Sequence, residues 1–509
     1  MRKILLFLLI IILSCSRGEE GIQYDVIVYG GTPSGIIASV AAARNNAKVL
    51  LIEHTKHLGG MYTSGLNTAE TNHMINKSIT GYAREFYIRM GKYFSPEYYD
   101  TFPNGRRLNF KVGDPAFFFE SPVAEEVYNN MIKEEKIAVK YNSFVTFVHK
   151  SGKKIKYITL NDTLEISGKV FIDCTYEGDL MAHAGVSYTF GRESKSVYGE
   201  SYAGIRLIDD TSYVKITVED GNLLNNYFTD VSKLAAGEGD HRVLCYNFRP
   251  TMTRDIDNMV EISRPQEYDS TKYNLLVYYL RKNPDTDLGD LIGCMPKGDG
   301  KFEFNNRQNA IISIGLLGGN VEYPDADYAK RKEIYEEHKL YTLGYLYFLG
   351  YDSRVPEELR QEMLSYGFPK DEFQDNNHFP YYLYIREARR MKGDFVGTEK
   401  DILAERTKSN AVALGSHWID AHHVQRIAIT DSSFTNEGRI WHKITEPYEL
   451  SYSLLLPKRE ECTNLLVPVC ASLSHVAYCS YRLEPTWMQM GHAAGTAACM
   501  SLKHKIMFT

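Results

Sequence analysis

The sequence lacks the features that define several large classes of protein. Its N-terminal apolar run, residues 4–13, has only ten residues, which is too short to span a lipid bilayer, and no other run reaches spanning length. It contains no long basic run and has a net charge of −6, which argues against a nucleic-acid partner. No Cys-x-x-Cys pair or other metal-like spacing occurs, so we expect no metal site. What remains is an ordinary globular composition over 509 residues, enough for two or more lobes.

The first residues have the pattern of an export signal. Arg2 and Lys3 precede the apolar run, as in a secretory signal peptide. The run ends in ILSC at residues 12–15, which resembles the lipobox of bacterial lipoproteins. The resemblance implies that residues 1–15 are a lipoprotein signal peptide. It also implies that Cys15 carries a lipid anchor, the only membrane attachment, and that the protein is exported to the cell envelope, in the outer membrane or periplasm. Plain secretion with cleavage nearby is the alternative.

A strand, a turn, a helix and a second strand open the chain after residue 21. Residues 25–29, DVIVY, form a short apolar run that predicts a buried parallel strand. The small residues 36–44 predict a helix. Residues 47–52, AKVLLI, predict a second strand that ends at Glu53. Together these segments predict a βαβ unit.

The turn between the first strand and the helix has the spacing of a dinucleotide-binding turn. It reads GGTPSG over residues 30–35, with Thr32 where the G-x-G-x-x-G pattern has its second glycine. Gly30 allows the tight turn, Gly35 allows close packing of the helix on the strand, and the N–H groups of the helix start face a pyrophosphate. We expect the Thr32 hydroxyl to donate to that phosphate and Glu53 to accept from ribose hydroxyls.

Three further segments favour FAD over NAD. LGGM at residues 58–61 is a second glycine pair, which suits an extended cofactor. IDCTYEGD at 172–179 places a strand-end acid and a Gly-Asp pair near the pyrophosphate. EPTWMQMGHAAGTAA at 484–498 predicts a helix with a small-residue face, whose N-terminus stabilises negative charge on a reduced flavin.

These segments together resemble the FAD-dependent oxidoreductase family, within the glutathione-reductase-like flavoproteins. The strings YGGTPSG, LGGMYTSGL, FIDCTYEGDL, GVSYTFGRES, YIREARRMKGD and YRLEPTWMQMGHAAGTAA carry the resemblance, which runs from about residue 25 to 498. It implies an FAD-dependent enzyme. The residues expected to bind FAD are Gly30, Gly31, Thr32, Ser34, Gly35, Glu53, Gly59, Gly60, Met61, Ser64, Asp173, Gly178, Asp179, Gly491, Ala494 and Gly495.

The implied fold class is α/β. We expect a Rossmann-like FAD-binding domain, three layers around a parallel sheet, from residues 21–195 and 430–509, with an inserted mixed α+β substrate or cap domain at 196–429. Within the cap, residues 330–346 predict a charged helix, and residues 381–390 are compatible with a strand and with a helix start. Towards the end, residues 464–468 predict a strand and residues 484–503 a helix.

Because flavin supplies the redox chemistry, the chain must supply a base and a clamp. Histidine takes a hydroxyl proton near neutral pH, and His378 and His422 are the strongest candidates because family-like segments surround them. Arg386 and Arg389 are expected to hold a carboxylate or a sugar hydroxyl, or to polarise a carbonyl. Weaker candidates for these two roles are His417, His423, His475, His492, Arg249 and Arg482.

A metal site at Asp420, His422 and His423 is not expected, because adjacent residues of a strand point to opposite faces. The sequence favours an FAD-dependent oxidoreductase that moves a hydride between flavin N5 and a small polar substrate, a sugar or sugar acid. Three alternatives stay open. They are a fumarate-reductase-like reductase of an unsaturated acid, a flavin-containing glycan-binding protein, and a redox-neutral glycan-processing enzyme.

Overall fold

The computed structural model describes residues 24–67, 69–100, 110–207, 228–430, 433–506 and 508. The signal peptide at residues 1–15 and the anchor at Cys15 lie outside the described residues and stay predictions. Within the described ranges, no helix combines the length and the apolarity needed to cross a bilayer.

The βαβ unit predicted at the start of the chain is present. It consists of β1 (Tyr24–Tyr29), α1 (Pro33–Arg44) and β2 (Val49–Ile52). Thr32 caps α1 by accepting a hydrogen bond from Gly35 N, and Pro33 occupies the first turn, where its missing N–H leaves no helix bond unmade.

A seven-stranded sheet is built around β1. Its order is β3 (Ala138–Lys140), β2, β1, β6 (Leu164–Asp173), β5 (Lys154–Leu160) and β4 (Val145–Ser151), and β21 (Leu465–Leu466) also pairs with β6. The pairs among β3, β2, β1, β6 and β21 are parallel, whereas β4, β5 and β6 pair antiparallel. The parallel half confirms the Rossmann-like fold class, and it brings the carboxyl ends of β1, β2 and β6 to one edge.

Both faces of the parallel half are covered. Val26 and Val28 of β1 belong to the core that includes α1 and α14 (Glu484–His504), while Ile27 and Tyr29 belong to a separate core on the opposite face. Burial on both sides explains why these strands are continuous apolar runs instead of alternating ones.

The remaining elements are mostly short. The other helices of the described ranges are α2 (Ala69–Asn72), α3 (Gly81–Met90), α4 (Pro96–Asp100), α5 (Ser121–Glu134), α6 (Asp179–His183), α7 (Lys195–Tyr198), α8 (Asn274–Lys282), α9 (Leu288–Leu291), α10 (Tyr328–Tyr351), α11 (Glu357–Leu364), α12 (Glu399–Leu403) and α13 (His475–Tyr481). The other strands are β7 (Tyr188–Thr189), β8 (Phe228–Asp230), β9 (Thr251–Thr253), β10 (Met259–Val260), β11 (Ile292–Gly298), β12 (Lys301–Asn306), β13 (Phe368–Pro369), β14 (Arg390–Met391), β15 (Ala411–Gly415), β16 (Ile419–Ala421), β17 (Gln425–Thr430), β18 (Ser433–Glu437), β19 (Ile440–His442) and β20 (Tyr448–Ser451).

The predicted helices are present and extend slightly further than expected. The helix predicted at 330–346 is α10, which begins earlier because Asp327 caps it by accepting from Lys330 N. The helix predicted at 484–503 is α14. Residues 381–389 contain no helix, and only Tyr384 forms a β-bridge there, with Asn247.

The predicted boundary at residue 430 runs through paired strands. β15 pairs with β20 and β16 pairs with β19, so strands from both sides of the boundary share hydrogen bonds. The division into 21–195 with 430–509 and 196–429 therefore stays a prediction.

Candidate active site

The glycine turn after β1 leaves no room for side chains. Gly30 has φ +102°, and a Cβ there would lie 2.8 Å from the backbone of Cys174. A Cβ on Gly35 would lie 1.9 Å from Gly30 O. The Thr32 hydroxyl donates to Cys174 O at 2.8 Å and accepts from Gly35 N. The hydroxyl hydrogen thus joins the glycine turn to the backbone that follows β6, and the expected bond from Thr32 to a phosphate stays a prediction.

Glu53 directly follows β2 and has a fully buried carboxylate. Its Oε2 accepts from Gly31 N at 2.7 Å, and its Oε1 accepts from Thr55 N at 2.7 Å and from the Tyr382 hydroxyl at 2.5 Å. Glu53 thus ties the glycine turn to the end of β2. Tyr382, from the predicted cap, reaches the oxygen that a ribose hydroxyl would share.

A cavity of about 450 Å³ opens at the carboxyl ends of β1, β2 and β6. We call it the strand-end cavity. Tyr29, Thr55 and Thr175 line it from the three strand ends. Nucleotides bind at this edge of open α/β sheets. Tyrosines from the predicted cap form the opposite side, namely Tyr323, Tyr328, Tyr335, Tyr381 and Tyr382.

The second glycine pair lies directly against the first turn. Gly59 has φ +100° and donates from its N to Gly31 O at 2.7 Å. Ser64 accepts from Tyr382 N at 2.7 Å. Residues 59–64 therefore lie between the glycine turn and the predicted cap.

Tyr176 joins this segment to the start of α14. Its hydroxyl accepts from Met61 N at 3.0 Å and donates to Glu484 Oε1. Gly60 makes room for that hydroxyl, because a Cβ on Gly60 would lie 2.2 Å from it.

Asp173, at the end of β6, supports the chain that follows it. Its carboxylate accepts from Thr175 N at 3.0 Å and from Met181 N at 2.8 Å. Burial raises its pKa to about 7. Gly178, at φ +72°, allows the turn into α6. Asp173 and Gly178 thus shape the strand-end loop.

Asp179 is an ion-pair partner inside the protein. Arg331 and Arg389 each donate to its carboxylate at 2.7 Å. Burial opposes its ionisation, but the two guanidinium charges outweigh burial and hold its pKa below the ordinary value. Arg389 also contacts Asp325 Oδ1 at 3.0 Å. The structure therefore places Arg389 in this ion-pair network, and it does not line the polar cavity described below.

Small residues let α14 lie against α1. A Cβ on Gly491 would lie 2.3 Å from Ser34 O, and one on Gly495 would lie 2.2 Å from the α1 backbone. The Ser34 hydroxyl donates to Trp487 O at 2.8 Å, and Ala494 is fully buried. Ser34, Gly491, Ala494 and Gly495, which were predicted to bind the cofactor, thus lie where α1 packs against α14. This packing fixes where α14 begins.

The first turn of α14 carries buried polar atoms that fit a bound group. Glu484 Oε2, Thr486 Oγ1 and Trp487 Nε1 have no hydrogen-bond partner within the described ranges. Buried polar atoms are nearly always paired, and a helix N-terminus favours negative charge. These atoms, the glycine turn and the strand-end cavity together fit an extended dinucleotide.

A second cavity, of about 310 Å³, lies beside the residues that precede α14. We call it the polar cavity. Arg249, Arg307, Arg439 and Arg482 line it, against the carboxylates of Glu70 and Asp420. Because guanidinium groups outnumber carboxylates, the cavity favours an anionic ligand. Its histidines are His73, His417 and His422.

His422 is the histidine best suited to accept a proton. Its side chain is buried, its Nδ1 has no partner within the described ranges, and its Nε2 lies 3.9 Å from Asp420 Oδ2. Burial, and then the charges of Arg386 and Arg482, hold its pKa well below the ordinary value. The imidazole is therefore neutral near pH 7, and an anionic ligand that offsets the arginine charges would raise its basicity.

A hydrogen-bonded series links the polar cavity to α14. Arg482 Nη1 donates to the Tyr384 hydroxyl at 3.2 Å, and that hydroxyl donates to Glu70 Oε1 at 2.6 Å. Glu70 Oε2 accepts from Glu484 N at 2.9 Å. Burial raises the pKa of Glu70 above its ordinary value. Tyr384 and Glu70 were not predicted as site residues. Tyr384 begins the string YIREARRMKGD, of which only the arginines were singled out, and Glu70 belongs to none of the strings that carry the resemblance.

Arg386 lies next to the polar cavity without lining it. It is fully buried and donates to Cys245 O and Asn247 Oδ1. Its guanidinium lies 4.5 Å from the centre of the Tyr384 ring. Burial lowers its pKa to about 10. Its contribution to the cavity is therefore a positive charge behind Tyr384.

His378, the other predicted base, is held in its own loop. It is half-buried with φ +60°, and its Nδ1 donates to Glu372 O at 3.1 Å. It does not line the polar cavity. Of the weaker candidates, His417, Arg249 and Arg482 line the cavity, whereas His475 pairs with Glu387. No group of three or more His, Cys, Asp and Glu side chains in the described ranges is arranged to hold a metal ion.

Among the comparisons with known proteins, one family profile covers nearly the whole described chain. The profile of the family described as FAD dependent oxidoreductase matches residues 25–509. No curated protein matches the sequence. Solved structures that match include the OxyS anhydrotetracycline hydroxylase from Streptomyces rimosus, at 14% identity over 34% of this chain and 36% of that chain, with a TM-score of 0.23. Thermovibrio ammonificans THI4 matches at 19% identity over 34% of this chain and 66% of that chain, with a TM-score of 0.24.

The flavin-dependent brominase Bmp2 matches at 18% identity over 33% of this chain and 42% of that chain, with a TM-score of 0.23. At these scores the likenesses to solved structures say nothing about activity. The family profile spans the glycine turn, both cavities and α14, and the residues around the strand-end cavity fit FAD. The chain belongs to the FAD-dependent oxidoreductase family.

Proposed function

We propose that this protein oxidises a small anionic polyol, a sugar acid, in the polar cavity, with His422 as the base. The observation that carries the proposal is the joint presence, in one cavity beside the start of α14, of a neutral buried histidine and an excess of guanidinium groups. When bound, FAD supplies the hydride acceptor at flavin N5.

The residues that would hold FAD extend from the strand-end cavity to α14. The glycine turn at residues 30–35 and Glu53 would hold the nucleotide end, because they meet at the carboxyl edge of the sheet. Ser64 and the first turn of α14 would hold the flavin end. The partnerless Thr486 hydroxyl and Trp487 indole N–H supply donors there.

His422 would take the hydroxyl proton of the substrate at Nδ1. The O–H and C–H bonds of the alcohol carbon break, a C=O bond forms, and two electrons leave with the hydride. Asp420, 3.9 Å from Nε2, stabilises the resulting imidazolium by charge. Arg386 and Arg482 disfavour that imidazolium, and the substrate carboxylate, by offsetting their charge, would favour it.

The carboxylate of the substrate would bind to arginines that other groups already orient. Glu303 holds Arg249, with Nε to Oε1 at 2.7 Å, and Asp420 O accepts from Arg482 Nη2 at 2.9 Å. A guanidinium fixed in this way loses little rotational freedom when it binds a carboxylate in bidentate fashion.

The same arginines favour a second candidate, the reductase of an unsaturated acid. In that direction the carboxylate is bound identically and an arginine such as Arg482 donates the proton. The redox-neutral alternative has no observation of this kind in its favour.

An anaerobic titration tests the proposal. FAD-loaded protein is mixed with uronic and aldonic acids and with their neutral parent sugars, and absorbance at about 450 nm, where oxidised flavin absorbs, is followed. We expect the acids to bleach the flavin and the neutral sugars to bleach it far more slowly. If no acid bleaches it and an unsaturated acid reoxidises chemically reduced protein, the second candidate is correct.

We also propose that the protein is exported and lipid-anchored at Cys15. The support comes from the sequence of residues 2–15 alone. Detergent phase partition and the mass of the N-terminal peptide test it. Full-length protein should enter the detergent phase and Cys15→Ser should not; a water-soluble wild type without added lipid mass would contradict the anchor.

A further inference from the structure

We infer that the polar cavity continues at its mouth into a second saccharide subsite built on Trp441, so that the sugar acid bound in the cavity is one unit of an acidic oligosaccharide. This inference rests on the proposed function and specifies its substrate class. It is carried by an aromatic platform, by the strand register that places it, and by the carboxamides of the cavity lining.

Two of the three tryptophans in the sequence meet at the cavity mouth. The rings of Trp418 and Trp441 are 5.1 Å apart, and His73 lies 4.5 Å from the first and 5.0 Å from the second. Trp441 lines the cavity and yet is 43% exposed. A large aromatic ring that neighbouring rings support and solvent reaches offers a flat apolar surface to a ligand.

The strand register fixes this ring beside the catalytic groups. Trp441 of β19 is the direct partner of Asp420 in β16. Directly opposite residues of an antiparallel pair project on the same face, so Trp441 shares the face of Asp420, the carboxylate next to His422. The platform is therefore continuous with the polar cavity.

Carboxamides of the cavity lining bond to two neighbours of the platform, Asp420 and Arg439. Gln308 Nε2 donates to Asp420 Oδ1 at 2.8 Å, and Arg439 donates to Asn309. Asn305 Oδ1 and Gln308 Oε1 are buried and have no partner within the described ranges. These oxygens are acceptors for hydroxyl groups. A pyranose has a polar hydroxyl edge and an apolar C–H face, which carboxamides and an indole ring respectively match.

The cavity volume sets how much of the ligand lies inside. About 310 Å³ is at the small end of ligand pockets, which span roughly 300–1,000 Å³. One acidic sugar unit therefore reaches the arginines and His422. Arg439 lies over the Trp441 ring, 5.7 Å from its centre, and the exposed part of the ring is left for the next ring of a chain.

Binding calorimetry on the FAD-loaded protein tests the subsite. The probes are glucuronic, galacturonic and mannuronic acid and a disaccharide of each. We expect at least one disaccharide to bind about tenfold more tightly than its monosaccharide, the gain of one aromatic stacking contact. Trp441→Ala should remove that gain, so that the affinities for mono- and disaccharide converge, while Trp441→Phe, which keeps a flat ring, should retain most of the gain.

Tyr351→Ala is the matched control, because Tyr351 is also 43% exposed and does not line the cavity. Equal affinities for mono- and disaccharides, no binding of any probe, or a disaccharide gain that survives in Trp441→Ala would each overturn the subsite. The bleaching titration separates this result from the proposed function. A disaccharide gain that depends on Trp441, without bleaching of the flavin, would support the subsite and contradict the proposed oxidation. Bleaching without that gain would support the oxidation and contradict the subsite.

Discussion

His422 Nε2 lies 3.9 Å from Asp420 Oδ2, beyond hydrogen-bond distance, while His422 Nδ1 has no partner within the described ranges. The carboxylate is close enough to stabilise a charged imidazole but does not fix which nitrogen carries the proton. Nδ1 of this buried ring is thus open to a substrate hydroxyl, which is the arrangement expected of a base before its substrate binds.

Replacement of His422 by glutamine is expected to remove the base and keep the cavity. Flavin reduction by the substrate should slow about 10²- to 10⁴-fold, the usual contribution of a general base, with FAD still bound. Stopped-flow absorbance of the FAD-loaded variant measures this. His378→Gln is the control, because His378 lies outside the cavity lining and should leave the rate unchanged. If His378→Gln slowed flavin reduction and His422→Gln did not, His378 would be the base.

The pH dependence of stability should reveal a buried neutral histidine. Burial lowers the pKa of His338 from 6.5 to about 4 in the folded protein. As the pH falls from 6.5 to 4, the unfolded chain binds a proton that the folded chain cannot accept, so His338 makes the free energy of unfolding fall over that window. Above pH 6.5 it has no such effect.

Urea denaturation of the wild type and of His338→Gln, across that pH window, checks this expectation. The wild type should lose stability relative to the variant as the pH falls. His149→Gln, at an exposed position, should follow the wild type. A difference between wild type and His338→Gln that is constant with pH would show that His338 titrates normally.

Glu53→Gln is expected to weaken FAD binding while the fold persists. The neutral amide replaces an anionic acceptor of the Gly31 N–H and Thr55 N–H groups and presents a donor in place of one oxygen. Charge-assisted hydrogen bonds contribute roughly 1.5–3 kcal/mol, so Kd for FAD should rise about 10- to 100-fold. Flavin fluorescence titration gives the value, with Glu126→Gln as a control. An unchanged Kd would remove Glu53 from the cofactor site.

Arg307→Gln tests whether the charge of the polar cavity selects anions. Arg307 lines the cavity and is exposed, so its removal alters charge with little effect on packing. KM should rise several-fold for an acidic substrate, and less at high salt, because exposed charges are screened. Arg281→Gln, an exposed arginine outside the cavity lining, should not change KM. An equal rise in KM for neutral sugars would contradict an electrostatic role of Arg307.

The elements that could be predicted from the sequence are those that neighbouring residues determine. Val26 to Tyr29 form a buried apolar run, and Thr32 with Pro33 marks a helix start, so β1 and α1 follow from neighbouring residues. The polar cavity has no such local cause. Its lining comes from segments that are far apart in sequence, from Glu70 to Arg482.

The predicted arginines show why residue type alone is insufficient. Arg386, Arg389 and Arg249 were all possible clamps. The structure pairs Arg389 with Asp179, 210 positions away. Of these three arginines, only Arg249 lines the polar cavity. Which arginine is neutralised depends on tertiary partners that spacing does not reveal.

The contact between α1 and α14 has a consequence for the order in which the protein is made. Ser34 and Trp487, which share a hydrogen bond, are 453 positions apart. During synthesis the glycine turn emerges early, but the helix that covers it follows hundreds of residues later. Bringing such distant segments together is slow. The nascent chain must therefore keep the small-residue face of α1 exposed until its C-terminal helix arrives, and it can capture its cofactor only after translation has passed α14.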